Sequence, residues 1–450
     1  MSSGRPYPNK IKHRTTIDLF AGCGGLSTGL EFAGFQPLIV SELNDDARES
    51  FVINRTAKLG GESFSSLSDL HFGDVYDLIA RLEPTFSLLH DICGTQSSTA
   101  ENLDLDLLCG GPPCQGYSGI GHRRSYKVEK QDIPSNRLYE PMAELIEKTK
   151  PKIFLFENVK GILSGRWTEN GAKGEIWTSV LGRFQDIRGY RVKFNLVQAK
   201  NYGVPQNRPR VLLVGIRDDI AEKSGVDWRN DSLDAVECGF LPEPCEESYP
   251  DLDDLLSDLV DENVLDQLDS QNFTVPFATQ EYLTDPLSPI QKWFRTCPDQ
   301  TMLKAGDKLF EQEYSKHRPS VVSKFSAMLD NGGVIPESLK TKKFAQRLLP
   351  AKWGLSGPSI TATSLPDDYV HYCQPRTLTV REWARLQTFP DWYKFAGKRT
   401  TGGLRRAGNP REGIFDREVP KYTQIGNAVP VKLARHVGLH FNEILDRAGF

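Results

Sequence analysis

The sequence predicts an α/β fold: an open, doubly wound, mostly parallel sheet into which a smaller lobe is inserted. Two observations carry that expectation. Across the first half of the chain, short apolar runs alternate with stretches of helical spacing, the pattern of parallel strands joined by crossover helices. After Arg217 the alternation stops, and helical spacing returns only near Thr379.

The elements follow in order. Thr15-Thr16-Ile17-Asp18-Leu19-Phe20 is an apolar run ending in glycines, as suits a buried parallel strand. Leu26 to Ala33 has helical spacing, and Pro37-Leu38-Ile39-Val40 is the second strand. Leu103 to Cys109 and Lys152-Ile153-Phe154-Leu155-Phe156 are further strands, the latter followed by a helix near Ile176 to Phe184. Arg191 to Val197 and Val211 to Ile216 complete the sheet, and later helices are expected over Thr379 to Gln387 and Val431 to Leu445. Residues 1–216 with 421–450 then make one lobe and 217–420 the other. In a sheet of this kind ligands bind at the carboxyl ends of the strands.

Composition narrows the class. With 38% hydrophobic and 25% charged residues the 450-residue chain reads as an ordinary globular protein. No apolar run approaches the roughly 18 residues of a membrane helix, and Met1 to Lys10 lacks the apolar core of a secretory signal, so a cytoplasmic address is expected. Eight cysteines with no Cys-x-x-Cys pair give neither a disulfide scaffold nor a structural zinc site. The net charge of −4 is unevenly divided. Asp218 to Asp269 holds 18 acidic and 2 basic residues, a local −16, which leaves +12 on the rest of the chain. Lys292 to Lys352 holds 12 basic and 6 acidic residues. The acidic block is expected to face away from any phosphate backbone.

Six places in the chain carry chemistry. Asp18-Leu19-Phe20-Ala21-Gly22-Cys23-Gly24-Gly25 lies between the first strand and helix, where glycines let a ligand approach the backbone. Glu42 stands 20 residues after Gly22 at the end of the second strand, where a carboxylate can grip ribose hydroxyls. A nicotinamide fingerprint would have a third glycine at position 27, which is Ser27, so an adenosyl cofactor without a pyrophosphate fits better. A turn with no ligand is the bland alternative. Asp74, in Gly73-Asp74-Val75, can accept from an adenine amino group or be a loop aspartate. Gly110-Gly111-Pro112-Pro113-Cys114-Gln115-Gly116-Tyr117-Ser118 presents Cys114 on a loop framed by glycines and prolines, as a nucleophile or as an inert small residue. Glu157, in Glu157-Asn158-Val159, leaves an apolar strand, so desolvation suits it to share a proton, unless it simply opens a helix. Gln206-Asn207-Arg208-Pro209-Arg210 sets two guanidinium groups on one side of an extended segment, able to polarise a carbonyl oxygen or to make surface salt bridges.

Together these stretches resemble the DNA cytosine-5 methyltransferase family. The order of motifs is that family's, and it continues with Arg376-Thr377-Leu378-Thr379-Val380-Arg381-Glu382, Leu386-Gln387-Thr388-Phe389-Pro390 and Gln424-Ile425-Gly426-Asn427-Ala428-Val429-Pro430. The likeness covers about 1–217 and 353–450. It implies a Rossmann-like S-adenosylmethionine-dependent methyltransferase fold with an inserted target-recognition lobe, variable over about 270–355 and scaffolded by 376–390. By the resemblance Cys114 attacks C6 of a flipped cytosine, Glu157 bonds N3, and Arg210 with Arg208 binds O2. S-adenosylmethionine, leaving as S-adenosylhomocysteine, is expected against Phe20, Ala21, Gly22, Cys23, Gly24, Gly25, Leu26, Glu42, Asp74, Val75 and Asn427. Substrate contacts are expected from Pro113, Gln115, Ser118 and Asn158, and from Lys340, Lys342, Lys343 and Arg347 in the basic region. Residues from Cys114 to about Asn136 would close over the site. No role is assigned to the polar segment 84–103.

The expected partner is double-stranded DNA, met by a monomer in the prokaryotic cytosol and nucleoid, without a membrane or a metal. A cognate restriction endonuclease would act on the same sequence without a stable complex. The RNA-directed members of the family carry a Cys-Phe-Thr motif, whereas here Cys238, Cys245 and Cys297 precede Gly239, Glu246 and Pro298. A catalytically dead paralogue would have lost Cys114, Glu157, Arg208 or Arg210, all of which are present.

Overall fold

The computed structural model describes residues 14–93, 104–113, 134–245, 250–340, 346–353, 358–360, 368–401 and 418–450. Its first part alternates as the sequence requires: β1 (Arg14–Leu19), α1 (Gly25–Phe32), β2 (Phe35–Ser41), α2 (Asp45–Val52), β3 (His71–Phe72), α3 (Val75–Ala80), α4 (Leu82–Cys93) and β4 (Leu107–Gly110). Then come α5 (Tyr139–Thr149), β5 (Ile153–Val159), α6 (Glu175–Gln185), β6 (Tyr190–Gln198), β7 (Pro209–Arg217) and α7 (Asp218–Ser224). The seven strands form one sheet in the order β3-β2-β1-β4-β5-β7-β6. All are parallel except β7, which runs against both of its neighbours.

Alternating side chains of each strand serve opposite faces. Leu108, Phe154, Phe156, Val211 and Leu213 enter one core with α3, α4, α5 and α6. Leu107, Cys109, Ile153, Leu155, Leu212 and Val214 enter a second with α1, α7 and the C-terminal helix. Both faces are covered, which explains strands that read as continuous apolar runs. Two expected strand limits shift: the one from Leu103 forms only from Leu107, and the one over 152–156 runs on to Val159.

Three expectations are corrected. The segment from 84 is not merely polar, because Leu82, Phe86 and Leu89 of α4 are buried in the first core; their spacing of four and three places them on one helix face. Residues 94–103 lie outside the description. Part of the acidic block lies in the interior. Asp258 and Asp261 are buried, and Ile220, Ala235, Phe240 and Leu241 belong to the second core, so the boundary expected at 217 falls inside the layer that covers the sheet. The loop expected to extend to about Asn136 gives way earlier to a helical turn, Pro134–Arg137, whose Asn136 is buried.

The helices of the remainder are α8 (Leu252–Leu256), α9 (Asn263–Ser270), α10 (Pro289–Arg295), α11 (Pro319–Asp330), α12 (Val380–Leu386), α13 (Lys421–Asn427) and α14 (Val431–Arg447), and Arg347–Leu348 pairs in parallel with Tyr369–Val370. A third core joins α8, α10, α12 and α13 to Cys23 and Phe32 of the first part. The scaffold stretch 376–390 is therefore packed against the glycine loop and α1. Every residue of α12 is buried, including Arg381, Glu382 and Arg385. Thr379 and Glu382 form a reciprocal capping box at its start. Among the described residues no helix is long and apolar enough to cross a membrane.

Candidate active site

The loop after β1 is shaped by left-handed backbone at Phe20 (φ 57°), Gly22 (φ 55°) and Gly24 (φ 85°). For Phe20, which has a Cβ, that conformation costs roughly 1–2 kcal/mol, and neighbours must hold it. Glu42 spans the gap between strand ends: Oε2 accepts the Gly22 N–H (2.8 Å) and Oε1 the Asn44 N–H (2.8 Å). From below, buried Arg55 pairs with Glu31 (2.7 Å) and reaches Gly24 O (3.5 Å), while Tyr393 Oη donates to Cys23 O (2.5 Å). A Cβ at Gly24 would lie 2.7 Å from Tyr393 Oη. Ser27, in the place of a third fingerprint glycine, donates to Asp18 Oδ2 (2.5 Å). Burial pushes the Asp18 carboxyl up to about 7, against the pull of Ser27 and Arg55.

This loop fits an adenosyl ligand. Space above Gly22 is open, and Leu43 beside Glu42 is an apolar side chain left 76% exposed, able to face a flat ring. Each Glu42 oxygen holds one amide and has a lone pair left for a hydroxyl. Asn427 is exposed at the end of α13, and the turn after it closes on the loop, since a Cβ at Gly25 would strike Val429 O. The side chains of Cys23, Leu26 and Val75 belong instead to the cores, so only their backbone could meet a ligand. Asp74 caps α3 by accepting the Tyr76 N–H (2.9 Å). Leu43, Arg55 and Tyr393 escaped sequence reading: an apolar residue before a polar turn, one arginine and one tyrosine carry no local signal. Among the described residues no group of three or more His, Cys, Asp or Glu could hold a metal.

At the neighbouring strand ends, Glu157 and Arg210 form a buried ion pair, Arg210 Nε to Glu157 Oε1 at 2.6 Å. The register explains the meeting. Val159 lies opposite Arg210, so Glu157, two residues away on the same face, is its diagonal neighbour. Burial pushes the Glu157 carboxyl up, while Arg210 and Arg208 pull it back. The chain after β4 passes directly over this carboxyl: a Cβ at Gly111 would sit 2.9 Å from Glu157 Oε2. Cys114, Gln115 and Ser118 lie outside the described residues, as do Lys342 and Lys343. Gly111→Ala should therefore displace Glu157 and slow single-turnover chemistry at this site roughly 10- to 100-fold with little change in melting temperature; an unchanged rate would show that the carboxyl's setting is unimportant.

Two expected substrate residues do other work here. Asn158 is buried, donating from Nδ2 to Pro112 O (3.1 Å) and accepting the Val159 N–H at Oδ1 (2.9 Å); it holds the loop that carries Pro113 onward. Arg208 donates to Ile360 O, to Gly426 O (2.6 Å) and to Ala428 O (3.1 Å). Its guanidinium is gathered by these backbone carbonyls, yet it still acts on the Glu157 carboxyl. In the second lobe, Lys340 pairs with Glu337, and exposed Arg347 lies over the Tyr369 ring (4.5 Å).

Comparison with known proteins supplies an independent reading. The family model for C-5 cytosine-specific DNA methylase matches residues 14–443. The type II methyltransferase M.BsuRI of Bacillus subtilis is 30% identical, over 95% of this chain and 80% of that protein. M.DdeI of Desulfomicrobium norvegicum, also a type II methyltransferase, is 27% identical over 93% of this chain and 86% of its own. A crystal structure of a putative DNA modification methyltransferase encoded within a prophage (E. coli) superposes with a TM-score of 0.62 at 21% identity, covering 96% of this chain and 99% of that one. That likeness shows a shared fold.

Proposed function

The chain belongs to the C-5 cytosine-specific DNA methylase family and is a DNA cytosine-5 methyltransferase, and from that premise we propose that it methylates C5 of a flipped-out cytosine in a specific duplex sequence through a covalent bond from Cys114 to C6. The observation that carries this is the buried Glu157–Arg210 pair at the rim of the sheet, overhung by the Gly111-Pro112-Pro113 segment that leads into Cys114.

The thiolate of Cys114 adds to C6, and the electron pair of the 5,6 double bond moves to C5. Glu157, whose raised carboxyl keeps a proton more readily than an exposed one, donates it toward N3. Arg210 meets O2 as negative charge develops there. S-adenosylmethionine, held by the Phe20–Gly25 loop, Glu42, Leu43 and Asn427, supplies an electrophilic methyl group when bound. C5 would take that methyl as the sulfonium C–S bond breaks, its electron pair staying on the sulfur of departing S-adenosylhomocysteine. A base then removes the C5 proton, the electrons of that C–H bond re-form the double bond as Cys114 leaves as thiolate, and N3 returns its proton to Glu157. The cytosine must leave the stack for a thiol to reach C6. Lys340 and Arg347 belong to the lobe that would read the sequence, by phosphate or base contacts.

The names of its bacterial relatives, type II methyltransferases, support a role as the protective half of a restriction–modification system; a monomer acting on DNA in the cytosol is part of the same proposal. Bisulfite sequencing of DNA from cells expressing the protein is expected to show methylated cytosines confined to one short motif, and that DNA to resist an endonuclease cutting the motif. No modified cytosine in DNA, with methyl transfer instead to transfer RNA, would overturn the reading.

A further inference from the structure

A second cluster of buried polar side chains lies beside the Glu157–Arg210 pair without being part of it. Gln206, Arg208 and Gln387 are 0%, 3% and 0% exposed, and they join three distant parts of the chain. Gln387, at the end of α12, donates from Nε2 to Ile425 O (2.8 Å) and Ala428 O (3.1 Å). Arg208 grips the same turn through Gly426 O and Ala428 O. Gln206 locks the two together: its Nε2 donates to Gln387 Oε1 (3.0 Å) and Leu386 O (3.1 Å), and its Oε1 accepts the Ile360 N–H (2.9 Å).

The next residue extends the grip. Thr388 has φ 59°, a left-handed conformation that a β-branched side chain rarely adopts. In that conformation its Oγ1 accepts the Lys432 N–H (2.9 Å), while Gln387 O accepts the Val431 N–H (3.1 Å). These bonds serve the first turn of α14, whose own leading residue, Pro430, gives no side-chain cap. The carbonyls on either side of Asn427 are thus held from behind; Asn427 itself is exposed, and the next two residues, Ala428 and Val429, lie against Gly25 of the glycine loop. Buried donors of this kind cannot release their carbonyls without losing hydrogen bonds that water does not replace. The turn therefore has one setting, fixed by residues two and four positions from Arg210.

We propose that Gln206, Arg208 and Gln387 are positioning residues that fix the Asn427 turn against the glycine loop and tie its setting to that of Arg210, so that they govern cofactor affinity and touch no atom of the base. The inference rests on the proposed function, because it takes the glycine loop as the cofactor site. Coupling through such a two-ended contact is reciprocal.

The test compares S-adenosylhomocysteine affinity by calorimetry, and kcat and KM for methyl transfer, in the full chain. Wild type, Arg208→Met, Arg208→Lys and Gln387→Met are measured beside Leu255→Ala, a cavity in the third core that lowers the melting temperature without touching the clasp. Arg208→Met and Gln387→Met are expected to weaken S-adenosylhomocysteine at least ~10-fold, with KM for the cofactor rising in step. Arg208→Lys, which keeps a donor, should recover to within ~3-fold of wild type, and Leu255→Ala should bind as wild type does. The proposal is overturned if affinity falls equally in Leu255→Ala, or if kcat falls in Arg208→Met while S-adenosylhomocysteine affinity stays unchanged. The second outcome would put Arg208 at the base. Should Arg208→Met fail to fold, Gln387→Met alone decides. Wild-type protein that bound no S-adenosylhomocysteine would count against the functional reading itself, a separable result.

Discussion

Replacing Cys114 by serine is expected to lower kcat at least ~10³-fold while leaving S-adenosylhomocysteine affinity within about a factor of two. The asymmetry follows from where the parts lie. The glycine loop, Glu42 and the Asn427 turn are held by Arg55, Tyr393 and the carbonyl contacts of Arg208, none of which involves residue 114. A serine hydroxyl stays protonated at neutral pH, whereas a thiol beside cations ionises readily. Duplex DNA with 5-fluorocytosine at the target should trap wild-type protein covalently, because fluorine on C5 cannot leave as a proton does. The serine variant should give no adduct. Comparable methylation by that variant, or no adduct from folded, cofactor-loaded wild type, would refute the covalent route.

The largest loss of stability is expected from the charged cluster around α12. Arg385 meets Asp258 (2.5 Å) and Asp391 (2.6 Å), Arg295 shares Asp258 (2.5 Å), and Arg376 holds both oxygens of Glu382 (2.7 and 2.9 Å). All are essentially unexposed. Removing one member leaves its partner charged in a dry interior, which costs about 3–5 kcal/mol. Glu382→Ala and Arg385→Ala should each unfold at markedly lower denaturant concentration, as circular dichroism would register. The cluster also sets an acid limit. Burial would raise the Glu382 carboxyl, but Arg376, His371 and the Thr379 amide pull it down to about 2. A carboxyl lowered from its ordinary 4.5 stabilises the fold above that value, and its contribution disappears as pH falls toward 2. His371, pushed down to about 3 by burial, acts in the same direction, since below its ordinary 6.5 the unfolded chain takes up the proton first. Wild-type stability should therefore fall between about pH 6 and pH 3, and less so in Glu382→Gln, which has no proton to take up. A pH-independent midpoint would contradict this.

The inner strands were legible because they are buried on both sides and so appear as uninterrupted apolar runs, as Ile153 to Phe156 does; the two-residue edge strand His71–Phe72 offers no such run and was not foreseen. Glu157 and Arg210 were legible because strand ends and the alternation of side chains are local facts. Arg208 was not. Its spacing from Arg210 predicted a shared face, and both do act on Glu157, but its donors meet carbonyls about 150 to 220 residues away. The same blindness affects charge counting: Asp258, Arg295 and Lys324 sit in blocks that the sequence describes only by net charge, yet all three are buried. Partners at long sequence separation decide whether a charged residue faces water, and composition holds no record of them.

The single reversed strand decides the geography of the candidate site. In a sheet whose neighbours all point one way, a residue at a strand's beginning would be stranded on the rim opposite the ligands. Nine residues of β7 at about 3.3 Å each would then separate a guanidinium at position 210 from the acid at 157 by most of the sheet's width. Reversal turns that beginning into a second source of side chains for the working rim. It also brings the polypeptide out at the opposite rim at Arg217, so the chain that follows has to return to the ligand rim before Phe389 and Tyr393 can come to rest under the glycines.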